Sequence, residues 1–173
     1  MRNYSQSTID VVGDLTVGLR VQTSVFLNAT YVIVAQVSLF NVVGWCRIFY
    51  LGIEAITTWS ADATTIKFGY DASTPAVAAV DICAASGALT SLAAGKRVAV
   101  LGDALATGAL EAANSGVSLQ THPVDIGCIG GAGVIYITGA GAAQTGATAT
   151  SQVTCCYAPL SNGAYIVPVD ALL

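Results

Sequence analysis

From Asp62 to Asp71 the side chains alternate, with Thr64, Ile66, Phe68 and Tyr70 on one side and Ala63, Thr65, Lys67 and Gly69 on the other. A period of two places the first set on one face of an extended chain, so this stretch predicts a half-buried β-strand. The same period appears upstream, where Leu15, Val17, Leu19 and Val21 point one way and Asp14, Thr16, Arg20 and Gln22 the other. A turn is expected at Asn28-Ala29, then a strand over 30–40 with Tyr31, Ile33, Ala35, Val37 and Leu39 on one face. Asn41 and Gly44 interrupt the apolar run before WCRIFYLGI, which reads as a strand covered on both faces. Ala72 to Pro75 form the next turn. Residues 1–8 are polar and without pattern, an N-terminal arm ahead of a single β-rich domain over 9–173.

The pattern weakens between 76 and 116. AVAAVDICAA fits either a strand or a helical turn, and the alanine-rich SGALTSLAAGKR and DALATGALEAANSG predict short helices or long loops. Asp103 would cap such a helix and Asn114 or Gly116 would end it, although Gly108 in its interior costs about 1 kcal/mol. Short strands return in GVSLQT, VDIGCI, GVIYIT, ATSQVTCCY and AYIVPV. Gly130-Gly131 and Asn162-Gly163 are hairpin dipeptides. Together these elements predict an all-β chain, an antiparallel β-sandwich or jelly roll with an N-terminal arm and a loop-rich insertion.

Composition sharpens this picture. Of 173 residues, 54 % are hydrophobic and only 9 % charged, against roughly 25 % charged in ordinary soluble domains. So few charges point to a membrane protein, a poorly soluble fragment, or a subunit that buries its surface against other copies. The longest apolar window, residues 30–53, contains Gln36, Asn41 and Arg47 and alternates in its first half. An arginine near a helix centre costs about 2.5–3.5 kcal/mol on insertion scales, so a strand fits better than a membrane helix. The net charge of −4 comes from scattered residues without a basic run, which argues against nucleic acid as a partner. MRNYSQSTID lacks the apolar core of a secretory signal. The five cysteines contain no CxxC pair; Cys155 and Cys156 are adjacent and point to opposite faces of a strand. They read as free buried thiols of a protein assembled in a reducing cytoplasm.

Chemical motifs are weak. VIYITGAGAAQTGA puts Gly139 and Gly141 after a strand, as a dinucleotide-binding turn would, but the third glycine position is Gln144 and no acidic residue stands about twenty positions on. A glycine-alanine loop between strands is the better reading. The Gly-Lys-Arg at 95–97 is no phosphate loop, because the required glycine at position 90 is Thr90. His122 is the single histidine and there is no nucleophile elbow for it to serve. Asp62, Asp71, Asp81, Asp103 and Asp125 fall at strand ends or turns, where aspartate accepts backbone hydrogen bonds. No catalytic, metal or cofactor-binding set is assigned, and the chain is expected not to be an enzyme. Arg47 stands apart. It lies in the most apolar strand, and period-two counting puts Trp45, Phe49 and Leu51 on its face. It would pair with a carboxylate inside the domain or reach a neighbouring subunit.

Three segments carry a resemblance: DATTIKFGYDA at 62–72, ATSQVTCCYAPLSNG at 149–163, and VDIGCIGGAGVIYI between them. They resemble the strands of small β-sandwich virion proteins of tailed bacteriophages, over roughly residues 45–165. Cys155-Cys156 departs from the polar-aromatic mix of that closing strand, and residues 1–40 have no counterpart. The resemblance implies a structural protein of the virion, assembled in the host cytoplasm. It would bind the major capsid protein on the outer shell as decoration or cement, as a homotrimer, without membrane, nucleic acid or cofactor. The alternative within the virion is a tail or fibre component, an adhesin or adaptor, whose glycan groove would be lined by an aromatic such as Trp59 or Tyr31. Interface candidates are Arg2 and Tyr4 in the arm, with Trp45, Arg47 and Trp59.

Overall fold

The computed structural model describes residues 21–27, 36–74, 78–100, 111–112, 126–141 and 150–169. Eleven strands are described: β1 (Val21–Leu27), β2 (Val37–Val43), β3 (Cys46–Ala55), β4 (Thr64–Thr74), β5 (Val80–Asp81), β6 (Arg97–Ala99), β7 (Glu111–Ala112), β8 (Gly127–Ile129), β9 (Ala132–Gly141), β10 (Ser151–Pro159) and β11 (Tyr165–Pro168). They form two antiparallel sheets. One runs β1-β10-β3-β6-β7, with β8 also paired to β3; the other runs β11-β2-β9-β4-β5. Seven of the ten successive strand pairs lie in different sheets. Within the pairings, β1-β10-β3-β6 and β2-β9-β4-β5 follow the strand order of a jelly roll, in which two Greek keys wrap into a sandwich. The all-β sandwich expected from the alternation is the fold.

The core lies between the sheets. From the first sheet, Ile48, Leu51, Ile53, Val98, Val153 and Cys155 are buried; from the second come Phe40, Val42, Ile66, Phe68, Ile135, Ile137 and Ile166. Fully burying side chains of this size stabilises by about 1.5–3 kcal/mol each, which makes this layer the main favourable contribution. The alternation over 64–70 holds for its inner face, where Thr64, Ile66, Phe68 and Tyr70 are buried; on the other face Lys67 is half-exposed, whereas Gly69 is buried under the Tyr136 ring. The strand runs on through Ala72 to Thr74, so these residues are ladder and not the turn expected at Ala72–Pro75; Pro75 is outside the described residues.

Two bulges reset the alternation elsewhere. In β3 Tyr50 pairs with Cys156 and Ile48 with Tyr157, leaving Phe49 as the extra residue. Before it the even positions Cys46 and Ile48 face the core; after it the odd positions Leu51, Ile53 and Ala55 do. Leu51 is therefore not on the face of Arg47, contrary to strict period-two counting. WCRIFYLGI is covered on one face only, since Arg47 and Trp45 are exposed. In β2 Leu39 is the extra residue between Ser38 and Phe40, and both Leu39 and Phe40 are buried. An extra residue on one strand shifts every later side chain to the other face, which lets a continuous apolar run feed a single core.

The insertion holds short strands and loops, and no helix, among its described residues. Val80–Asp81 pairs with β4 as β5, and Leu89, bridged to Thr64, and Leu92, whose carbonyl accepts from Trp59 N–H, are buried. Tertiary packing overrides alanine's helix preference here. Of the strand expected over 14–22, Val21 and Gln22 open β1, Val21 partly buried and Gln22 exposed; its residues 14–20, the turn at Asn28-Ala29, Tyr31, the helix over 103–116, His122 and the arm with Arg2 and Tyr4 lie outside the described residues.

Both expected hairpins are corners instead. Gly130-Gly131 joins β8 in one sheet to β9 in the other, and Asn162-Gly163 joins β10 to β11 across the sandwich. The second is closed by Ala164 N–H donating to Ser161 O at 3.1 Å. Only Gly163 in it has positive φ. A two-residue hairpin of type I′ needs positive φ at both central residues; with one, the turn is of type II and its strands splay into different sheets.

Candidate functional site

The sequence candidates part company. Trp59 is buried, and its indole N–H donates to Ser151 Oγ at 2.9 Å inside the core. A fully buried indole with its donor satisfied is a packing residue, so Trp59 lines neither an interface nor a glycan groove. Trp45 is the opposite case, 57 % exposed at the arch between β2 and β3. Arg47 is exposed two residues on, with its guanidinium 5.6 Å from the Phe49 ring centre, a cation–π contact along one face of β3.

Trp45 is held from both sides. Gly44 turns the chain at φ +71°, where any side chain would meet Ala164 Cβ and Ser161 Oγ at 2.8 Å. The Trp45 N–H donates to Ser161 Oγ at 3.0 Å, and its carbonyl accepts from Leu160 N–H at 2.7 Å. The ring lies over Gly130: a methyl there would meet three neighbouring atoms of the six-membered ring almost equally closely. Such near-equal distances mean that a ring face rests on the glycine, and the high exposure means that the other face is open. Aromatic rings also cover Gly69 (Tyr136), Gly133 (Tyr70) and Gly52 (Tyr50), each lying where a side chain would otherwise stand.

Trp45 has exposed apolar neighbours. Leu160 is 54 % exposed across the 2.7 Å bond; Val43 pairs with Tyr165, and both are exposed, as is Val167 two residues along β11. Five of the seven exposed large apolar side chains among the described residues therefore gather at one end, on segments 43–45 and 160–167. Sequence reading named Trp45 alone. The alternation of AYIVPV carried a signal for the rest, since Tyr165 and Val167 share a face opposite Ile166, but showing that this face is solvent-exposed requires the strand's place at the margin of its sheet.

That margin is poor in donors for a further strand. Val169 N–H donates to Leu39 O at 3.0 Å, so the odd positions of β11 face β2 and the even ones face outward. Of the even positions, Ile166 N–H stands by the Tyr157 hydroxyl and Pro168 has no N–H. A missing donor and a covered one blunt the edge against strand addition.

Elsewhere the charged groups pair off. Lys67 Nζ meets Asp81 Oδ1 at 2.8 Å, and Arg97 Nε meets Glu54 Oε2 at 2.6 Å, both near the surface where such pairs contribute little. Among the described residues no three His, Cys, Asp or Glu side chains are grouped to hold a metal, and no helix is long and apolar enough to cross a membrane. Gly139 and Gly141 lie inside β9, paired with Ile66 and Thr64, so the glycine motif is ladder and not a phosphate-binding turn. Gly95, at φ +78°, ends the turn that leads into β6.

All five cysteines are free. Cys46, Cys83 and Cys155 are buried, Cys156 is half-buried and Cys128 exposed, so the expectation of buried thiols holds for three of them. Burial pushes the Cys46 thiol up from 9.0 to about 11 and pushes Cys155 up as well. Those two are packing residues and poor nucleophiles at neutral pH. Cys155 and Cys156 take opposite faces of β10, as their adjacency required.

Comparison with protein-family models, with curated proteins and with solved structures returns no significant match to this chain.

Proposed function

We propose that this chain is a structural protein of a tailed-bacteriophage virion, bound to the outer capsid surface as a decoration or cement protein and stabilising the shell. The observation that carries the reading is where the resembling segments fall. Residues 62–72 lie largely in β4, and residues 151–163 of the second segment make β10 with the corner that follows it. These are inner strands of a jelly-roll sandwich, an architecture used by viral capsid and lectin domains. A fold does not carry a function by itself. The scarcity of charge adds support, because a surface poor in charge suits a subunit largely covered in an assembly.

The mechanism is mechanical. A rigid sandwich bridging neighbouring capsid subunits adds contacts that internal pressure must break, and several weak contacts per bound unit give avidity without a large interface at each. The partner is the major capsid protein, with no cofactor. The test is co-sedimentation of the purified chain with phage particles stripped of their decoration. Saturable binding to heads, with heads then resisting heat longer, supports the reading. Binding confined to tails replaces it with the tail or fibre role, and no binding to any part of the particle overturns it.

A further inference from the structure

We propose that the apolar end around Trp45 is a self-association surface whose occupant is a second copy of this chain. The inference does not depend on the virion reading. It rests on five side chains, Val43, Trp45, Leu160, Tyr165 and Val167, which are 36–57 % exposed on backbone clamped by the Trp45–Ser161 and Leu160–Trp45 hydrogen bonds. Two aromatic and three aliphatic side chains at such exposure offer on the order of 400–500 Å2. A standard interface takes about 800 Å2 from each partner, with an apolar core inside a polar rim. The patch has the size of such a core, and the exposed amides of Asn41 and Asn162 stand at its margin.

The kind of partner follows from chemistry. The exposed charge nearest to them along the chain, Arg47, lies over Phe49 on β3, so the patch offers one charge at its side and none within it, whereas encounters with foreign partners are steered and made specific by charge. Interfaces between identical subunits are the more apolar class. A chain with 9 % charged residues fits that class throughout. Strand addition at the adjacent edge is hindered by Pro168, which has no N–H to give, and by the Tyr157 hydroxyl beside the Ile166 N–H, so copies meet through side chains. The rigid backbone means that little ordering entropy is lost when they do.

The experiment is sedimentation velocity on the full chain at about 10 μM, a concentration that populates complexes of micromolar affinity, for the natural sequence and for Leu160→Asp and Val167→Lys. Both changes are at exposed positions, and circular dichroism confirms that each variant folds. The natural chain is expected to sediment as a closed oligomer and each variant as monomer, with association weakened about thirtyfold or more. Acrylamide should quench the exposed indole less in the natural chain than in the variants. A monomeric natural chain at that concentration overturns the proposal, and so do folded variants that associate as the natural chain does.

Discussion

The Trp59 indole gives its single donor to Ser151 within the core, whereas the Trp45 indole rests on Gly130 with its far side open. Substitution should separate the two roles. Trp59→Phe strands the Ser151 hydroxyl in the interior and is expected to cost about 1–3 kcal/mol, read as a lower urea midpoint. Gly130→Ala should unseat the Trp45 ring and alter its fluorescence with little loss of stability; an unchanged emission spectrum would show that the ring does not rest there. The thiols add a pH dependence. In the folded chain burial pushes Cys46 up from 9.0 to about 11, with Cys155 and Tyr157 also raised. The folded state therefore holds these protons after the unfolded chain has released them. Their contribution is complete below about pH 9 and is lost as pH climbs towards 11. Tm should fall across that window; a flat Tm from pH 8 to 11 would contradict the burial of Cys46.

Among the elements, β3 and β11 show how local irregularity sets the surface. The extra residue at Phe49 lets Arg47 and Trp45 face solvent while Leu51, Ile53 and Ala55 enter the core. A strand read at strict period two misplaces half of such a segment. Alternation was legible where the ladder is regular, as over 64–70, and illegible where a bulge shifts phase, because a bulge depends on the partner strand. The corners at Gly130 and Asn162 were readable as turns for the same local reasons. Their crossing between sheets was not, since it depends on the core that both strands face. On β11, Tyr157→Phe removes the hydroxyl that stands by the Ile166 N–H. The expected cost is about 1–2 kcal/mol, with faster amide exchange at Ile166; unaltered exchange there would mean the hydroxyl does not guard the edge.

At the scale of the molecule, the fold class followed from alternation and glycine-marked turns, whereas the gathering of Val43, Leu160, Tyr165 and Val167 beside Trp45 did not. These residues are up to 124 positions apart in the chain, Val43 to Val167, and meet only because β2 pairs with β11 while Leu160 reaches the Trp45 carbonyl. The resemblance in 62–72 and 149–163 supplies the virion reading, and the jelly roll gives it a rigid body to act through. Its most direct test is quantitative mass spectrometry of purified particles of the phage that, on this proposal, encodes the chain, measuring copies relative to the major capsid protein. The account predicts a stoichiometry comparable to that of the capsid protein, with the chain on the head. Absence from the particle, or a handful of copies confined to the tail, would contradict it.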